Sequence, residues 1–150
     1  MRTRKTFSLF TLLCFLTIAC IFVAAFPAMK KIYEWPSQKK ALLNFVNSKN
    51  FLKYGYPETL ESAKPIFRNH VDELIELGPL ASNKQKLKTF HKLTFELFQM
   101  NELVETVERE TFYIDTWEIA NIVGIGSTPK QELEFERNLH RWRYQPVAAD

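Results

Sequence analysis

The first 29 residues follow a different pattern from the rest of the chain. Thr6 to Met29 reads TFSLFTLLCFLTIACIFVAAFPAM and carries no charged side chain. Its length meets the roughly 20 apolar residues that a helix needs to cross a bilayer. The pattern therefore predicts an N-terminal membrane-spanning helix over residues 1–29, followed by a juxtamembrane linker over 30–36. In that linker Tyr33 and Trp35 have the amphipathic rings common at headgroup level.

From Ser37 onward the apolar positions recur at helical spacing. Ser37 is a candidate cap for a helix to about Asn47, with Leu42, Leu43, Phe45 and Val46 on its apolar side. NSKNFLKYGYP breaks the period, and Gly55 with Pro57 marks a turn. Leu60, Ala63, Phe67, Val71, Leu74 and Ile75 then give a helix to Leu77, kinked or split by Pro65 and stopped by Gly78-Pro79. Ser82 or Asn83 opens a third, with Leu87, Phe90, Leu93, Thr94, Leu97 and Phe98 as a wide stripe. Thr128-Pro129-Lys130-Gln131 opens the last, with a capping threonine, a proline suited to the first helical position and a glutamine able to reach back. Leu133, Phe135, Leu139 and Trp142 follow.

One stretch is ambiguous. ERETFYIDTWEIANIVGIGS, Glu108 to Ser127, is rich in strand-formers. Strand alternation leaves neither face clean. Helical spacing places Phe112, Thr116, Ile119, Ala120 and Val123 on one stripe. No glycine or proline interrupts Glu102 to Val123. The pattern predicts a helix that begins near Glu102 and ends at Gly124. The fold expected is all-α: the membrane helix, then a small bundle of four or five helices over 37–144, and a flexible tail over 145–150.

Charge changes the picture once. The chain carries +3 overall, but Arg2, Arg4 and Lys5 are the only charges before Lys30. Without them 17 basic residues face 17 acidic ones. A neutral domain gives no footing for nucleic-acid binding. Both cysteines, Cys14 and Cys20, fall in the apolar leader. The domain therefore has no disulfide, zinc-thiolate site or cysteine nucleophile. Three fates compete for the leader: an uncleaved anchor with its basic end inside, cleavage after Ala25, or lipid attachment at Cys20. Each sends the domain to the periplasm or outside the cell.

Candidate chemistry is sparse. Glu108 and Asp115 lie two helical turns apart, bordering the apolar stripe, where burial would raise a carboxyl pKa. The competing expectation is ion pairing with Arg or Lys of neighbouring helices, while Glu110 and Glu118 face water. His70, His91 and His140 form no metal motif, and there is no phosphate loop or nucleophile elbow. GIGS lacks a preceding strand and a lysine. RWRY mixes cations with aromatic rings, as nucleic-acid or sugar binders sometimes do, which makes Arg141 and Trp142 binding candidates; the competing expectation is an arginine stacked on Trp142 or paired with the acidic helix.

VERETFYIDTWEIANIVGIGS and RWRY together resemble a small bacterial family of domains of unknown function, numbered 4844. The resemblance covers Glu105 to Tyr144. It implies a bacterial, mostly helical domain and no activity. The expectation is a non-enzymatic module without a cofactor, attached to the membrane by its first helix and binding another protein. An immunity protein or an accessory protein of the cell envelope would fit. Two alternatives remain: a carrier of a lipid or small apolar ligand between helices, and a hydrolase using Glu108 and Asp115.

Overall fold

The computed structural model describes residues 3–100, 106–126 and 128–147. Among them there are five helices and no strand: α1 Thr3–Val46, α2 Pro57–Leu77, α3 Asn83–Gln99, α4 Thr106–Ile122 and α5 Pro129–Trp142.

The expected division of the N-terminus into span, linker and first domain helix does not stand. Among the described residues no helix is long and apolar enough to cross a membrane. The apolar run is instead the leading part of α1, a single rod of 44 residues that continues through KKIYEWPSQKK. Residues 30–36 are helical, and Ser37 lies inside the helix and caps nothing. Pro27 and Pro36 sit within α1 without ending it. Each lacks an amide hydrogen and leaves one carbonyl of the preceding turn without its usual donor, a loss that a long helix tolerates. In α2, Pro65 does not split the helix, which is continuous from Pro57 to Leu77.

The helix ends follow their local chemistry. Ser82 forms a capping box with Gln85: its hydroxyl accepts the Gln85 N–H at 3.2 Å, and the Gln85 side chain accepts the Ser82 N–H at 2.9 Å. Thr128 accepts the Gln131 N–H at 3.4 Å, and Pro129 occupies the first turn of α5. Gly124 closes α4 with φ +77°, while the Ile125 N–H reaches back to the Ala120 carbonyl at 2.8 Å. That pairing satisfies carbonyls a helix would otherwise leave bare, and it requires a left-handed residue where glycine is least strained. The stretch that looked like a strand is therefore helix to Ile122. Its stripe of Phe112, Thr116, Ile119, Ala120 and Val123 is buried. The start expected near Glu102 lies outside the described residues.

The core joins the last turns of α1 to the other four helices. Leu42 and Val46 meet Phe67, Val71, Phe90, Leu93, Phe112, Ile119, Phe135 and Leu139. Aromatic rings form much of its spine. Phe45, Phe51, Phe67 and Phe112 contact one another edge-on in sequence, and Phe90, Phe135 and Trp142 do the same. Such contacts add about 0.5–1.5 kcal/mol per pair beyond burial.

Candidate functional site

Glu108, Thr111 and Asp115 lie on α4 at spacings of three and four residues, so they share one face. All three are buried, Glu108 completely. They face the loop between α1 and α2, residues 47–56, where Phe51 and Leu52 dip into the core. A loop that enters a core brings backbone groups away from water, and those groups need partners. Asp115 Oδ2 accepts the Leu52 N–H at 2.8 Å. Glu108 Oε1 accepts the Tyr56 N–H at 2.7 Å. The Thr111 hydroxyl donates to the Tyr54 carbonyl at 2.6 Å. Together the three side chains form a clasp that holds the loop.

Two backbone features show how tightly the clasp fits. Leu52 has φ +48°, a left-handed conformation that costs an ordinary side chain roughly 1–2 kcal/mol. Its buried side chain and the bond from Asp115 hold it there. Gly55 has φ +141°, and a Cβ at that position would lie 2.8 Å from Glu108 Cγ. Glycine is needed there both for its backbone angle and to make room for the carboxylate.

The ion pairs expected for Glu108 and Asp115 are replaced by backbone hydrogen bonds, because the loop, not a basic side chain, occupies the space facing α4. Burial pushes the Asp115 carboxyl up to about 6; the Leu52 N–H acts against that rise, and Glu118 adds to it. Glu108 Oε2 has no hydrogen-bond partner among the described residues. Neither acid lines any of the surface pockets described below. A hydrolytic pair needs a concave site and a free basic or acidic oxygen aimed into it. One oxygen of each acid instead carries loop backbone. Glu110 and Glu118 are exposed, as their positions on the helix imply.

Arg141 and Trp142 do not converge with these acids. Trp142 is buried, lies parallel to the His91 ring at 5.2 Å and meets Phe135 edge-on. Arg141 is exposed and donates to Asn138 Oδ1 at 2.8 Å. Within RWRY it is Arg143 that lies over aromatic rings, at 4.7 Å from the Tyr144 ring centre and 5.8 Å from that of Phe98. The expected stacking chose the next arginine because Trp142 points into the core. The tail is also anchored at its start, where the His91 ring bonds to the Gln145 carbonyl at 2.7 Å.

Two buried polar groups were invisible in the sequence. Lys86 extends through the core edge and donates to the Val123 carbonyl at 2.8 Å, adding a cap to the end of α4. Burial, followed by the nearby Lys31 charge, lowers its pKa. His70 is buried against Phe90 with ring centres 4.5 Å apart, and among the described residues only the Thr89 backbone acts on its ring as a hydrogen-bond partner, without the geometry of a normal bond. Burial lowers its pKa to about 3. The Thr89 backbone acts in the opposite direction, and the Lys92 charge adds to the lowering. The sequence left His70 open as a surface or a core residue, since a lone histidine on an amphipathic helix occurs as either.

Two surface depressions are chemically distinct. Between α2 and α3 a pocket of about 300 Å³ is lined mainly by charged side chains, with His70 among them. Across α4 and α5 a groove of about 420 Å³ has Phe98, Tyr113 and Ile114 as its apolar part and Arg109, Glu110, Glu136 and Arg143 around them. Ile114 is 64% exposed there, so the groove is an open surface and not the enclosed apolar chamber that a lipid carrier needs. Among the described residues no group of three or more His, Cys, Asp or Glu is placed to hold a metal ion. Compared with known proteins, the chain matches no family model, no curated protein and no solved structure.

Proposed function

We propose that this protein is a non-enzymatic binding module whose partner is another protein. In this reading α1 delivers the contact and the bundle behind it is the support. One observation carries the proposal. From Leu13 to Tyr33, α1 has large apolar side chains that nothing in the bundle covers: Leu16 is 55% exposed, Ile21 67%, Val23 74% and Phe26 68%. They are distributed around the helix and not along one stripe. A helix that is apolar on all sides is stable when enclosed by other apolar elements. Exposed apolar surface of this extent marks an interaction site. The partner would supply a hydrophobic groove into which the helix lies, a common mode of helix recognition. In this reading the encounter takes place in the periplasm or outside the cell, which the apolar, basic-headed N-terminus supports.

Site-specific photo-crosslinking in the cell tests the reading. A photoreactive residue at Val23 or Phe26 should give a discrete protein adduct, with the same residue at exposed Lys130 as the control. Adducts only to lipid, or none above the Lys130 control, would overturn it.

A further inference from the structure

The clasp stands at the root of α1. Among the described side chains of that helix, only Leu42 and Val46 are buried, both in its last two turns. The loop that follows, residues 47–56, sends Phe51 and Leu52 into the core beside them. A rod of 44 residues is thus steered by a short root. Glu108, Thr111 and Asp115 of α4 hold the loop that fixes this root, through three hydrogen bonds to its backbone.

Two features oppose the hold. Leu52 keeps φ +48° there, a strain that is relieved when the loop lets go. Asp115 is buried, and among the described residues no basic side chain pairs with it. An ionised carboxylate in such a place is opposed by its lost hydration. The charges around it give no relief. On α4, Glu108 lies two turns before it and exposed Glu118 one turn after, both of its own sign. On the loop, Lys49, Lys53, Tyr54 and Tyr56 are exposed, and Lys53 lies over the Tyr54 ring at 5.0 Å. On α1, which packs on α4, Lys39 and Lys40 are exposed, and the buried turns bring only apolar side chains. On α2, Phe67 meets Phe112, Glu58 is exposed, Glu61 pairs with Lys64, and His70 packs on Phe90 of α3. The Leu52 N–H favours the ionised form, but burial outweighs it and the carboxyl stands at about 6.

We infer that the clasp is a pH-governed latch on α1: in acid the neutral Asp115 holds loop 47–56 closed, and as Asp115 ionises the loop opens locally and frees the root of the rod. Asp115 binds its proton more firmly in the closed latch than in the open one, where water reaches it. Closure is therefore firmest below about pH 4, weakens as pH rises through 6 and changes little above about pH 7. Segments that open without global unfolding come from the low-stability part of a structure. A loop with two core side chains, three clasp bonds and one strained residue belongs there. The latch governs the freedom of α1 whatever the helix contacts, so it stands or falls apart from the protein partner proposed above.

Amide hydrogen exchange of the full chain, followed residue by residue by NMR and corrected for the intrinsic rate at each pH, tests the latch. The Leu52 and Tyr56 amides should exchange through an opening that low urea does not promote, whereas the Leu93 amide in α3 should require global unfolding. From pH 4.5 to 7.5 the opening at Leu52 should grow by about fivefold to thirtyfold. Asp115→Asn should abolish that dependence and leave the loop as protected as it is in acid. Glu118→Gln removes a like charge from the exposed side of α4 and should move the transition to lower pH. Spin labels at Lys30→Cys and Arg137→Cys, with Cys14→Ser and Cys20→Ser, should give a distance distribution that widens over the same pH range in the parent and not in Asp115→Asn. A Leu52 amide that opens only together with Leu93 overturns the latch. So does an opening that pH leaves unchanged, the same pH response in Asp115→Asn, or a transition at higher pH in Glu118→Gln. A label distance that stays fixed while the loop opens overturns it as well.

Discussion

Asp115→Asn should make the protein more stable at pH 8, although it removes a charged hydrogen-bond acceptor. The carboxylate is buried at the clasp, and its pKa stands at about 6 against an ordinary 3.8. A raised carboxyl pKa means that the folded state resists the charged form. The folded protein holds a proton there between about pH 4 and 6, and the unfolded chain does not. Stability from this group is therefore greatest below pH 4, falls as pH rises to 6, and stays low above it. A shift of about two units corresponds to roughly 3 kcal/mol at most. Even a buried site responds to charge as a medium more polar than a dry interior, which reduces this to about 1–2 kcal/mol. Asparagine keeps an oxygen for the Leu52 N–H, now 2.8 Å away, and never carries the charge. Urea denaturation of both proteins from pH 4 to 8, followed by circular dichroism, measures the difference. His70 titrates in the opposite sense. Its pKa is lowered to about 3, so its contribution is lost as pH falls below 6.5. Subtracting variant from parent cancels that background. The expected result is a gain of about 1–2 kcal/mol at pH 8 that shrinks toward zero at pH 4. An equal loss of stability at both pH values would refute the reasoning, since the carboxylate would then be valued for its bond and not opposed by its burial.

Gly55→Ala should cost about 2–4 kcal/mol in thermal or urea unfolding, because its Cβ would meet Glu108 Cγ at 2.8 Å in a backbone conformation that alanine resists. Gly124→Ala has open space around it and should cost only about 1 kcal/mol, from its φ of +77° alone; equal losses for the two glycines would show that crowding at Glu108 is unimportant. Lys86→Met keeps the apolar stem but loses the bond to the Val123 carbonyl, and should lower stability by about 1 kcal/mol, with amide exchange at the end of α4 accelerated. Trp142→Ala should cost about 3–5 kcal/mol, while Arg141→Ala changes stability by less than about 0.5 kcal/mol, a contrast that melting curves will resolve.

Local patterns reached much of this structure. The fourth helix was legible against its own propensities because periodicity reports which face is buried, and burial outweighs the small preference of aromatic and β-branched residues for strands. Ser82, Thr128 and Gly124 were legible as helix ends because capping is a contact between residues a few positions apart. The length of α1 was not. The change from apolar to charged residues at Lys30 and the candidate cap at Ser37 looked like boundaries, yet the helix runs through both and through Pro27 and Pro36 as well, since none of these ends a helix whose neighbouring turns remain intact.

The clasp marks the boundary between the two kinds of information. Spacing placed Glu108 and Asp115 on one face beside the apolar stripe. It did not say what they would meet. Their partners, the amides of Tyr56 and Leu52, lie 52 and 63 residues away in sequence. The packing of His70 on Phe90 and the reach of Lys86 across to the Val123 carbonyl are of the same kind. A sequence determines which side of an element faces inward because that depends on the period of one segment. Which backbone group or empty lone pair waits on the other side is decided only when segments far apart in the chain are packed together.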